Sequence, residues 1–120
     1  MPLVIVKRDP EKVSDKKIAI LSRALPAIVA KALSTGKGTK GELASGKIQV
    51  WVQDVGQFDR NVPEIGIIIL AQLYPAIEKN LDHRRKEIEN SVAAILFRSN
   101  DGFVLVLLVK KGSFGEFKKI

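Results

Sequence analysis

The fold of this 120-residue chain turns on residues 3–33, LVIVKRDPEKVSDKKIAILSRALPAIVAKAL. Its first four residues, Leu3-Val4-Ile5-Val6, are apolar and mostly β-branched, the composition of a strand buried on both faces. Asp9-Pro10 ends that run. Ser14 then stands as a helix N-cap with Asp15 in the first turn, and Ile18, Leu21, Leu25, Ile28, Val29, Ala32 and Leu33 recur at spacings of three and four. Pro26 lies inside this helix and removes a backbone hydrogen bond, which predicts a kink or a break into two pieces.

Beyond the helix the composition changes abruptly. Residues 34–47 are rich in Gly, Ser, Thr and Lys, with Gly36, Gly38, Gly41 and Gly46, and read as a flexible loop. A strand over residues 48–55 sets Ile48, Val50 and Val52 against Gln49, Trp51 and Gln53. After a turn over 56–63, residues 65–70 form a wholly apolar strand that ends near Tyr74-Pro75. A second helix is predicted over 76–97, with Ile77, Leu81, Ile88, Val92, Ile95 and Leu96 on one side. Asn100-Asp101-Gly102 turns the chain into a last apolar strand over 103–109.

The order is strand, helix, strand, twice over, and the halves align. A shift of about 63 positions places Val4 on Ile67, Val6 on Ile69, Leu25 on Ile88, Val29 on Val92 and Leu33 on Leu96. We therefore read residues 1–120 as a single domain, with pseudo-repeats over 1–56 and 64–110 and a basic tail over 111–120. The expected fold is α+β (of α/β type): two β-α-β units in a four-stranded sheet, with two helices on one face. Three strands are apolar on both faces, so the opposite face would be bare, and another copy of the chain is expected to cover it.

Composition narrows the chemistry. The chain holds 46% hydrophobic and 28% charged residues, the balance of an ordered globular protein. It has no cysteine and one histidine, which excludes disulfides, thiolate zinc sites, cysteine nucleophiles and multi-histidine metal sites. Twenty Lys plus Arg against 13 Asp plus Glu leave a net charge of +7, which points to an anionic partner. No run approaches the roughly 20 apolar residues of a membrane span. Residues 1–6 are too short an apolar run for a signal peptide, so a cytoplasmic protein with no membrane partner is expected.

The first candidate for chemistry is Pro2. Methionine is normally trimmed before a small residue, and a freed Pro2 would carry a secondary amine at the tip of the first strand. Burial and neighbouring cations both disfavour the charged form of such an amine, which suits it to act as a base. Trp51 alternates with the core positions of its strand and faces a subunit interface or a pocket. His83, between Asp82 and Arg84, belongs to the charged side of its helix. Gly36-Lys37-Gly38 is not a phosphate loop, because Lys31 stands at the first glycine position and Gly38 where Ser or Thr is required. The basic clusters Lys7-Arg8, Arg84-Arg85-Lys86 and Lys118-Lys119 could touch phosphates, but no nucleic-acid recognition motif accompanies them.

The opening Met1-Pro2-Leu3-Val4-Ile5-Val6, the capping Ser14-Asp15 and the duplicated strand-helix-strand order resemble the tautomerase superfamily. The length, and the stretch from Lys47 through Asn80-Leu81-Asp82-His83-Arg84 to Phe117-Lys118, is most similar to the 5-carboxymethyl-2-hydroxymuconate isomerase group. The resemblance implies a homotrimer and a cofactor-independent, metal-free isomerase. Pro2 would be the general base for keto-enol or 1,3-proton transfer on a small 2-hydroxydienoate or 2-oxo acid. The family's carboxylate-binding arginine is absent at the start of the second strand, where Lys47 lies nearest. Arg60 could substitute from the following loop, Gly56-Gln57-Phe58 would give an aromatic wall at Phe58, and Arg8 or Lys12 a further cation. The same resemblance leaves open a trimeric binding or scaffold protein without chemistry, and a dehalogenase or decarboxylase that uses a prolyl ammonium.

Overall fold

The computed structural model describes residues 2–110, 112–113 and 115–119. The chain runs β1 (Leu3–Arg8), α1 (Asp15–Leu33), β2 (Gln49–Asp54), β3 (Ile65–Gln72), α2 (Pro75–Glu78), α3 (Leu81–Ile95) and β4 (Gly102–Val109). The strands form one sheet in the order β2-β1-β3-β4. Within each β-α-β unit the paired strands are parallel, as a helical crossover requires, and β1 meets β3 antiparallel at the centre. Leu3 lies opposite Gln49 on one side and Leu70 on the other.

Side-chain alternation divides the sheet into two unequal faces. Val4, Val6, Ile67, Ile69, Val104 and Val106 point to one face and are buried. There they meet Leu21, Leu25, Val29 and Leu33 of α1 and Ile88 and Val92 of α3, which form one core with them. Each large side chain so buried contributes about 1.5–3 kcal/mol relative to exposure, which is what holds two helices onto one sheet. The other face carries Trp51, Ile5, Ile68 and Leu105 in one row across the strands, and Leu3, Leu70 and Leu107 in the next. Trp51 remains 58% exposed, Phe103 45%, Leu105 42% and Leu107 45%. Gly66 leaves room on this face for the Phe103 ring, since a Cβ there would lie 2.8 Å from Phe103 Cε1.

Several sequence expectations are corrected. α1 runs unbroken through Pro26, and Ser14 caps it by accepting from the Lys17 N–H at 3.2 Å. Pro26 removes one hydrogen bond, but Leu21, Leu25 and Val29 are fully buried on either side of it and keep the helix continuous. The second helix is not one piece: α2 and α3 are separated at Lys79 and Asn80, where Asn80 leaves helical geometry at φ −133°. α3 ends in two successive left-handed residues, Phe97 at φ 54° and Arg98 at φ 53°, a turn that apolar periodicity does not register. β2 is an edge strand, so Val50 is only half-buried and Val52 is 42% exposed despite their alternation.

Residues 34–47 are also more organised than a flexible loop. Ser34 Oγ accepts from the N–H groups of Gly36 and Leu43, and the Thr35 N–H donates to Gly41 O. The Gly38 N–H donates to Glu42 Oε2 at 2.8 Å, and a 3-10 turn, Ser45–Lys47, leads into β2. Small polar residues that read as disorder in sequence thus supply the bonds that close the segment on itself. Of the tail, residues 111, 114 and 120 lie outside the described residues, and Phe117 is 98% exposed. Among the described residues no helix is long and apolar enough to cross a membrane.

Candidate active site at one end of the sheet

Pro2 is buried immediately before β1, the central strand nearest β2. Its carbonyl accepts from the Gln49 N–H at 3.4 Å, which brings the 3-10 turn and Lys47 to the same end of the sheet. The ends of β3 and β4 lie there too, because β1 and β3 are antiparallel and the Leu73 N–H donates to Val109 O. So does the C-terminus of α1, which returns antiparallel to β1. The closed segment after α1 abuts Tyr74: a Cβ at Gly41 would come within 3.1 Å of Tyr74 Cδ2, and the Tyr74 hydroxyl faces Lys40 O at 3.4 Å. Lys37, Lys40, Lys47 and Lys110 are all exposed around this end.

α1 stops without a glycine. Its C-cap, Ser34, is extended at φ −69° and ψ 141°, and the last carbonyls go to a side chain from the other half of the chain. Arg84 on α3 donates to Ala32 O at 2.8 Å and to Ser34 O at 3.0 Å, while its Nε donates to Asn80 Oδ1 at 2.6 Å. A cation at a helix C-terminus complements both the orphan carbonyls and the helix dipole. Periodicity gave no sign of this role; the spacing of four between Asn80 and Arg84 is the one sequence feature from which a fixed side chain could have been read.

The other candidates lie elsewhere. Arg8 ends β1, five residues beyond Leu3, which puts it roughly 17 Å from that residue at about 3.3 Å per residue. Its guanidinium is occupied: Nε donates to Asp54 Oδ1 at 2.8 Å, one terminal nitrogen pairs with Asp15 Oδ1 at 2.7 Å, and the other donates to Val13 O at 3.2 Å. The Asp54 bond first, and then Asp15, raise its pKa further above the ordinary arginine value. Phe58 and Arg60 sit in the loop between β2 and β3, which is tied to this same far end by Val55 N–H to Arg8 O and Asp9 N–H to Glu64 O, each 2.9 Å. Phe58 is 82% exposed. Within one protomer the structure therefore brings together Pro2 and Lys47, and separates them from Arg8, Phe58 and Arg60.

The far end is cross-tied by polar side chains. Glu64 accepts from the Asp101 N–H at 2.8 Å and from the Asn100 amide, and the backbone bond chiefly holds its carboxyl below the usual range. Lys17 donates to Ser99 Oγ and Asn100 Oδ1. Lys12 is exposed. His83 is exposed and faces Glu87 one turn on, and Trp51 donates to Gln49 Oε1 on the outer face. Among the described residues no group of three or more His, Asp or Glu side chains is placed to hold a metal ion.

No family model matches the chain, and no curated protein matches it. Solved structures do. A fused 4-OT wild-type asymmetric trimer superposes with a TM-score of 0.65 at 11% identity, over 95% of this chain and 91% of that one. Malonate semialdehyde decarboxylase gives 0.61 at 12% identity, over 97% and 92%. A 5-carboxymethyl-2-hydroxymuconate delta-isomerase gives 0.57 at 10%, over 96% and 89%. The chain shares the tautomerase fold of these structures over 95–97% of its length, at 10–12% sequence identity.

Proposed function

We propose that this protein is a cofactor-independent tautomerase or isomerase of the 5-carboxymethyl-2-hydroxymuconate isomerase type, acting on a small 2-hydroxydienoate or 2-oxo acid. The observation that carries the reading is the burial of Pro2 at the end of the sheet where the turn bearing the exposed Lys47 also lies. With Met1 removed, the prolyl nitrogen is a secondary amine whose charged form is disfavoured by burial and by neighbouring cations, so it is poised as a base. It takes a proton from the substrate hydroxyl, or from the carbon beside the carbonyl, and returns it to another carbon. Lys47 holds the carboxylate and steadies the dienolate charge. Arg8 is assigned to the fold, since each of its three guanidinium nitrogens already has a partner.

Arg60 and Phe58 enter this site only from a second copy. We propose a homotrimer in which the bare sheet face is covered, and in which the loop between β2 and β3 of one protomer reaches the Pro2 end of the next. The two β-α-β units are read as one duplicated element. Intact mass of natively expressed protein tests whether Pro2 is freed. Turnover of 2-hydroxymuconate and enol phenylpyruvate by wild type and Pro2→Ala tests its role, with a loss of at least 100-fold expected; equal activity overturns the mechanism. A prolyl ammonium that activates water is the second enzyme reading, favoured by the fold it shares with a decarboxylase; its mark is a pH-rate profile with a prolyl pKa well above 8.

A further inference from the structure

The segment that carries Lys37, Lys40 and Lys47 is tied at its start by two side chains, Ser34 and Arg84. Ser34 is the hub of that segment: its hydroxyl accepts from Gly36 and Leu43, and its carbonyl is held by Arg84 at 3.0 Å. The same guanidinium nitrogen donates to Ala32 O at 2.8 Å, so one side chain satisfies two carbonyls at the end of α1. Asn80 fixes Arg84 from the other side through Nε, and the side chain is half-buried between the two helices. From Ser34 the chain passes through the tip bearing Lys37 and Lys40 to the 3-10 turn bearing Lys47. No glycine in the left-handed conformation stands at the end of α1 to do this work instead.

We propose that Arg84 is a positioning residue of the Pro2 site: by clamping Ala32 and Ser34 it fixes where Lys47 and the lysine-bearing tip stand, and so sets how tightly a substrate carboxylate is held. This rests on the reading of the Pro2 end as the active site. Arg84 touches no substrate. Its planar fork reaches two carbonyls and an amide oxygen together, which a lysine cannot reproduce, so Arg84→Lys is a partial replacement and Arg84→Ala a full loss.

The test uses the full chain as wild type, Arg84→Ala, Arg84→Lys and Arg85→Ala; Arg85 pairs with Asp82 and Glu89 on its own helix and makes no bond to the segment. Arg84→Gln replaces the alanine variant should that one fail to fold. Amide hydrogen exchange at Thr35, Gly36 and Leu43 is expected to quicken at least tenfold in Arg84→Ala, with the amides of β1 and β3 unchanged. With enol phenylpyruvate, KM is expected to rise about tenfold in Arg84→Ala, because a displaced Lys47 holds the carboxylate less well, and less in Arg84→Lys, with any fall in kcat smaller than the rise in KM. Unchanged exchange overturns the clamp, and an unchanged KM, or a fall confined to kcat, overturns its link to substrate. A wild type with no turnover overturns the proposed reaction instead. The clamp is then judged by phenylpyruvate binding in an NMR titration: weaker binding by Arg84→Ala supports it, and equal binding, or none by wild type, overturns it.

Discussion

Replacing Arg8 separates a structural cation from a substrate-binding one. Its side chain is 10% exposed, whereas its partners Asp15 and Asp54 are 94% and 52% exposed. Breaking a buried ion pair costs about 3–5 kcal/mol when it strands a charge away from water. Here the two carboxylates return to solvent, so that penalty does not apply. What remains is the Val13 carbonyl, which accepts from Arg8 in a buried setting and loses its partner, at about 1–3 kcal/mol. Arg8→Ala also removes two further methylenes from the buried stem, at about 0.8 kcal/mol each. The expected destabilisation is about 1–3 kcal/mol for Arg8→Met and about 2.5–4.5 kcal/mol for Arg8→Ala, with an unchanged slope in urea unfolding followed by circular dichroism. Substrate affinity of folded Arg8→Met should stay within twofold of wild type. Wild-type stability in Arg8→Met, accompanied by a tenfold loss of affinity, would refute the structural assignment.

Other perturbations check separate parts of the argument. Gly102→Ala drives a Cβ to 2.3 Å from Ile65 O, a backbone atom that cannot give way; a loss of about 2–4 kcal/mol in urea unfolding is expected. Gly66→Ala meets the edge of the half-exposed Phe103 side chain and not backbone, so it should cost less than Gly102→Ala, about 1 kcal/mol in the same assay. Leu105→Lys places a charge in the middle of the bare face and should convert the proposed trimer into single protomers in sedimentation equilibrium, with the far-ultraviolet spectrum unchanged. Glu64 has a folded pKa below its unfolded value, so its stabilising effect is full above the ordinary glutamate range and fades as pH falls through the lowered value. Accordingly, Glu64→Gln should lower Tm at pH 7 and leave it unchanged at pH 2.

The fold was legible because its signals are periodic. Val4 and Val6, Ile67 and Ile69, and the α1 series Leu21, Leu25, Val29 and Leu33 are all buried where spacing puts them. Edges and joints were not, because what decides them is bonding between segments far apart in sequence. Asn80 breaks the second helix while its side chain serves Arg84, and the glycine-rich segment is ordered by Ser34 and by an arginine 50 residues away. The candidate site was legible only as a list of residue types. Lys47 could be placed near Pro2 from the strand order, since parallel strands begin at the same end. Arg8 could not be distinguished from a free cation, because nothing in local sequence says that Asp54, 46 residues on, will take it.

The place of β1 in the sheet bears on synthesis. β1 is made before both of the strands it lies between, β2 and β3. At about 5–20 residues per second, the ribosome needs several seconds after β1 to supply its neighbours. Until residue 54 is made, Leu3-Val4-Ile5-Val6 has no partner on either side, and until residue 72 is made the edge that will meet β3 still offers unpaired amides and carbonyls. The nascent chain is therefore most prone to misassociate before residue 72 appears, and a holding chaperone that masks the first strand would raise the yield of native protein more than one that acts on the finished chain.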